Sequence, residues 1–150
     1  MAKGQYRTFN ESLLNIGTPV FNLSNTNDFK AMLITTLPVI TQTTPDTSDF
    51  TEVSGDGYTA GGIALTNSWS ESSGTTTLDF STDPAWSQNP TGPDDIVAAL
   101  IYSTNASATG QNALGFVDLT KDAGTTPISL QDGNISFTWP VAGAFNISRP

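Results

Sequence analysis

The chain has 150 residues, neither cysteine nor histidine, and 14 acidic against 5 basic side chains, for a formal net charge of -9. These values exclude a disulfide scaffold, thiolate and imidazole catalysis and the usual transition-metal ligand sets, and they turn the surface against phosphate backbones, so nucleic acid is not an expected partner. A chain of this length forms one domain that buries about 70% of its unfolded surface without metal or covalent staples.

Charged residues make up only 13% of the chain, so the polar surface comes from Ser, Thr, Asn and Gln. Apolar alternation beyond Val20 and regular turn signals separate the chain from a disordered polar tract. No apolar run approaches the roughly 20 residues of a membrane helix, and the start "MAKGQYRTFNESLL" lacks an apolar signal region. The expectation is a protein without a membrane partner, made in a cytoplasm.

Residues 1–19 read as an N-terminal arm with one short helix in "FNESLLNIG", where Asn10 caps, Leu13, Leu14 and Ile16 share a side, and Gly17 stops it. Residues 20–150 read as the β-domain. "TPVFNLS" and "DFKAMLITT" are expected strands, the second with Phe29, Ala31 and Leu33 on one face and Lys30 and Met32 on the other. Pro38 and Pro45 mark a loop. In "IALTNSWSESSGTTTLDF" a Ser73-Gly74 turn sets Trp69 opposite Leu78. Between Phe80 and Asp94, Pro84, Pro90 and Pro93 predict a long loop whose one large anchor is Trp86.

"DIVAALIYS" and "NALGFVDL" carry the most continuous apolar character and are expected at the centre of a sheet. An Asp132-Gly133 type I′ turn would pair Leu130 with Ile135 and Ile128 with Phe137. "AFNISR" is the last strand, after a turn at Ala142-Gly143. About nine short strands with at most one helix predict an all-β, single-domain antiparallel β-sandwich or jelly roll. A barrel is the structural alternative.

The stretch "SGDGYTAGG" fits the dinucleotide spacing G-x-G-x-x-A at Gly55, Gly57 and Ala60. The adjoining "GGIALTNSW" alternates Ile63, Leu65 and Trp69 at strand spacing, so no helix N-terminus faces a phosphate. The expected role is a sharp strand entry, with Gly55, Gly57, Gly61 and Gly62 supplying positive φ or close backbone contact and Tyr58 packing inward. Asp94 and Asp95 are the candidate carboxylates for a glycosidase, but neighbours on a strand point to opposite faces. Asp79, Asp83, Asp94 and Asp95 could share a calcium ion only if their loop closes, and their spacing does not follow the EF-hand. No cofactor and no catalytic residue is expected. Sequons at Asn10, Asn22, Asn105, Asn134 and Asn146 suit a chain rich in Asn, Ser and Thr and are read as unused. Trp69 and Trp139 are expected in the core, and Trp86 as an exposed binding anchor.

The order of "FNESLLNIGTPVFNLSNTNDFKAMLITT", "EVSGDGYTAGG", "DDIVAALIYSTN", "ALGFVDL" and "GNISFTWPVAGAFNI" resembles a family of small tailed-bacteriophage virion proteins, with "GYTAGG" the most specific motif. The resemblance implies a non-enzymatic structural role, favouring a decoration or cement protein on the capsid exterior. Its partners would be the major capsid protein and itself, as a trimer. It also implies that the arm, with Lys3 and Arg7 beside Tyr6 and Phe9, grips a capsid surface or a neighbouring subunit. The alternative is a tail or fibre accessory that binds host glycans.

Overall fold

The computed structural model describes residues 4–16, 18–24, 28–105, 108 and 110–148. Five antiparallel strands form the larger sheet: β1 (Tyr6–Thr8), β2 (Phe29–Ile34), β3 (Ile63–Leu65), β7 (Ala98–Ser103) and β8 (Ala113–Asp118), in the order β1-β8-β7-β2-β3. β7 and β8 lie inside this sheet, where their unbroken apolar runs place them. Continuous rather than alternating hydrophobicity is needed because both faces are covered. Phe29, Ala31, Leu33, Ala99, Ile101 and Val117 belong to the main core, whereas Met32, Ile34, Ala98, Leu100, Ala113 and Phe116 form a second cluster on the opposite face. A bulge accommodates both sets on β8. Ile101 pairs with Gly115 and Tyr102 with Ala113, so Leu114 is the extra residue, and it joins the main core.

The main core is closed by β4 (Asn67–Ser72), β5 (Thr75–Phe80) and β10 (Phe145–Ser148), in the order β10-β5-β4, and by the two-stranded pair β6 (Ala85–Trp86) and β9 (Ile135–Ser136). Leu78 and Phe80 of β5 are buried in it. Aromatic contacts cross between the layers: Tyr6 meets Trp139 at 5.6 Å between ring centroids, Trp139 meets Phe80 at 4.6 Å, and Phe80 meets Phe29 at 5.8 Å. The β4–β5 hairpin has the predicted register, Trp69 opposite Leu78. Ser73 and Gly74 both have positive φ, 53° and 85°, as a type I′ turn requires. All these elements make an all-β single domain of ten strands with one short α-helix among the described residues.

That helix, α1 (Asn10–Asn15), has six residues, too few to be stable without tertiary support. Buried Ser12 supplies some, donating from Oγ to the Ala113 carbonyl at 2.7 Å. The residue preceding the helix is Phe9, so Asn10 is its first helical residue rather than its cap. Gly17 lies outside the described residues. β1 is hydrogen bonded to β8 through Tyr6, Arg7 and Thr8, so this part of residues 1–19 belongs to the larger sheet and is not a separate arm.

One expected strand and one expected hairpin are replaced. "TPVFNLS" buries Phe21 and Leu23 but runs through turns, and the Leu23 carbonyl is held by the Asn67 side-chain amide at 2.8 Å. Burial of alternate residues there needs no strand partner. The hairpin at Asp132-Gly133 does not form, since neither residue has the positive φ of a type I′ turn. Leu130 instead donates to the Pro93 carbonyl and accepts from the Asn89 amide, Ile128 bridges Ile96, and Ile135 pairs with Trp86. The proline-rich loop outcompetes the local turn because it brings Trp86 into the core. Phe29 is fully buried between Phe21 and Phe80, so Phe29→Ala is expected to cost about 3–5 kcal/mol in urea denaturation. A loss below about 1 kcal/mol would contradict the burial of this ring between the layers.

Candidate functional site

The glycine-rich stretch is built against the C-terminal half of β2. Residues 51–53 run alongside β2, with the Val53 amide donating to the Leu33 carbonyl at 3.0 Å and Ile34 bridging Glu52. One oxygen of Glu52, Oε1, accepts two short hydrogen bonds, from the Tyr58 hydroxyl and from the Gly61 amide, each 2.6 Å. The Tyr58 oxygen also accepts the Leu33 amide at 3.1 Å, so Tyr58 turns inward as its sequence context predicts. On the far side of the loop, the Tyr102 hydroxyl donates to the Gly61 carbonyl at 2.8 Å.

Gly55, Gly57, Gly61 and Gly62 all have positive φ. The requirement is strictest at Gly62, where a Cβ would lie 1.9 Å from the Ala31 carbonyl oxygen. No side chain fits there, and the chain passes directly into β3, whose Ile63 pairs with Ala31. The glycines lead into a strand, not a helix, and the Gly61 and Gly62 amides are already used, by Glu52 and by the Thr59 carbonyl. The loop is a strand entry clipped by a carboxylate.

This clip forms one wall of a shallow hollow of about 330 Å³ on the outer face of the larger sheet, lined by Met32, Thr47, Ser48, Phe50, Glu52, Gly61 and Tyr102. The opposite wall is the 3₁₀ turn Thr47–Asp49, fixed by a reciprocal capping box between Asp46 and Asp49. Burial works against the charge on Asp46, but hydrogen bonds from Ser48, Asn112 and Gly110 hold its carboxyl below the usual range. Phe50 stacks on Phe9 at 6.1 Å. Lys30 comes in beside Gly61, its Nζ 3.7 Å from where a Cβ on that glycine would stand.

The candidate contact residues are scattered. Lys3 lies outside the described residues. Tyr6 is packed edge-on against Trp139, and the Nε of Arg7 is buried without a hydrogen-bond partner. Phe9 is fully buried in the outer-face cluster and cannot touch a partner. Trp86 is only 5% exposed, with its ring near Phe137 at 6.5 Å, so it is a core residue and not an exposed anchor. Strand pairing of β6 with β9 draws it inward. Trp69 and Trp139 are half-buried against the core, and Trp139 donates from Nε1 to the Thr82 carbonyl. Asp94 and Asp95 are both exposed. Among the described residues no group of three or more acidic side chains is arranged to hold a metal ion.

Glu52, Lys30, Phe50 and Tyr102 carry no motif that marks them in the sequence. They come from three separate segments, and only the sheet register, which sets Lys30 opposite Tyr102, and the bridge of Glu52 to Ile34 bring them together. No family model, curated protein or solved structure matches the chain.

The clip makes the two neighbouring glycines unequal. Gly62→Ala is expected to cost more than about 3 kcal/mol, because backbone blocks the added carbon. Gly61→Ala meets its nearest neighbour at an ordinary 3.5 Å and is expected to cost only the backbone strain, about 1–3 kcal/mol. Chemical denaturation of both variants checks the order, and equal losses would contradict it.

The tyrosines give a pH signature. Burial pushes all three phenols, Tyr6, Tyr58 and Tyr102, above their ordinary value of 10.0, with the Glu52 hydrogen bond adding to it for Tyr58 and the Glu52 charge for Tyr102. Their protonated forms are favoured in the folded chain. The associated stability is therefore fully present below about pH 10 and is lost as pH rises beyond it. Alkaline titration should show phenolate absorbance appearing together with unfolding, whereas independent ionisation of the folded protein near pH 10 would contradict the burial assignment.

Proposed function

We propose that the chain is a non-enzymatic structural protein of a bacteriophage virion, a decoration or cement protein that binds the capsid exterior through the major capsid protein and through copies of itself, as a homotrimer. The sequence resemblance suggests the particle. The observation that carries an adhesive role is the placement of the exposed large apolar side chains. Leu14, 76% exposed, and Val39, 64% exposed, belong to α1 and the loop joined to it by the Asn10 amide and Ile40 carbonyl, beside the larger sheet. Val141 and Ile147 are exposed at the turn before β10 and on β10 itself, in the smaller sheet. Apolar groups presented on two different layers suit a protein that joins two neighbours at once.

The surrounding surface supports this reading. β4, β5 and β10 present Ser, Thr and Asn in cross-strand pairs, including Thr77 Oγ1 donating to Asn146 Oδ1 at 2.8 Å. Short side chains already held by their neighbours lose little entropy on docking. A tail or fibre accessory that contacts host glycans is the second reading, favoured by the polar and aromatic hollow beside Glu52. Copy number separates the two, hundreds per particle for a cement protein against a few dozen for a tail accessory.

Electron microscopy of particles with and without the protein is expected to show density lost over the head, and the depleted particles should release their genome at lower temperature. Leu14→Asp and Val141→Asp should change the stability of the free protein by no more than about 0.5 kcal/mol while weakening retention on the particle about tenfold or more. Depleted particles that survive heat and osmotic shock as well as complete ones would contradict the stabilising role.

A further inference from the structure

We propose that the hollow between the Glu52 clip and the Thr47–Asp49 turn is a binding site for a single neutral sugar ring. This deepens the second reading, in which the hollow meets glycans, and rests on it; glycoside binding and the copy number of the protein can fail separately. The walls are of three kinds. Met32, Phe50 and Tyr102 supply apolar surface, and the Tyr102 ring is fixed because its hydroxyl is committed to the Gly61 carbonyl. Thr47 and Ser48 supply hydroxyl oxygens on a turn that the capping box holds rigid. Glu52 lines the hollow, and its second oxygen, Oε2, makes no hydrogen bond among the described residues while Oε1 is anchored by two.

The charge arrangement narrows the ligand class. The Glu52 carboxylate and the Lys30 ammonium flank the same glycine, Gly61, while the Asp46 and Asp49 carboxylates stand at the opposite wall, engaged by donors of their own turn, so carboxylates outnumber the ammonium around the hollow. An anion would meet them at a cost in Coulomb energy. A neutral polyhydroxyl ring avoids that cost, since its hydroxyls can donate to Glu52 and accept from Lys30. Its C–H face can lie on Phe50 and Tyr102, as the apolar lining demands. The volume, about 330 Å³, lies at the small end of the range for ligand sites. Because the walls are fixed before binding, ordering them adds little to the cost of association.

The test uses the purified full chain and a panel of methyl glycosides of glucose, galactose, mannose, rhamnose and N-acetylglucosamine, with free arginine and free phosphate as charged probes. Binding is followed by amide chemical-shift changes in nuclear magnetic resonance. The expected result is saturable, weak binding of at least one glycoside, with shifts confined to Thr47, Ser48, Phe50, Gly61 and Tyr102. Lys30→Ala should weaken it about tenfold. Ser48→Trp, at an exposed position on the rim, should abolish it; the variant also loses the Ser48 Oγ bond to Asp46, so unchanged amide shifts across β2, β7 and β8 establish that the fold is kept. Shifts at these amides with arginine or phosphate but with no glycoside would overturn the assignment in favour of an ion site. No shifts with any probe, or glycoside binding that survives Ser48→Trp, would overturn it as well.

Discussion

One carboxylate oxygen organises the most distinctive part of this molecule. Glu52 Oε1 receives both the Tyr58 hydroxyl and the Gly61 amide at 2.6 Å, and Tyr58 in turn receives the Leu33 amide. Charge-assisted hydrogen bonds of this length are about twice as strong as neutral ones. They hold the loop so that Gly62 can pass within contact of the Ala31 carbonyl and enter β3 in register. From β3 the chain turns through Thr66 into β4 and so changes sheet. The clip thus sits where the larger sheet ends and the chain crosses to the other layer, and it leaves a walled hollow on the outer face.

Behind the clip lies a sheet covered on both sides. β2, β7 and β8 contribute alternate side chains to two separate apolar clusters, which makes the larger sheet a rigid plate. Aromatic contacts from Phe21 through Phe29, Phe80 and Trp139 to Tyr6 tie it to the smaller sheet. Rigidity of this kind leaves little to rearrange when another surface docks. It fits a protein that works by contact.

Much of this fold was legible in the residues. The apolar runs in "DIVAALIYS" and "NALGFVDL" identified two of the inner strands, and the Ser73-Gly74 turn fixed the register of β4 on β5, because in both cases the pattern and its partner are close in sequence or unambiguous in burial. Two of the failures share one cause. At Asp132-Gly133 and at Trp86 the local signal was correct as chemistry but was overridden by a distant partner, β6 against β9, which no alternation pattern encodes. The glycine motif was legible as a strand entry because residues at strand spacing come directly after it. Its carboxylate was not, since Glu52 precedes Tyr58 by six positions in a loop and nothing in that spacing marks it as a ligand for two donors.

The clip is read most directly at the Gly61 amide. Hydrogen exchange of that single N–H, followed residue by residue in the native chain and in Glu52→Ala, reports on it without reference to any partner or particle. Strong protection in the native protein, lost in the variant while β7 and β8 amides stay protected, is the predicted result. A Gly61 amide that exchanges freely in the native protein would contradict it.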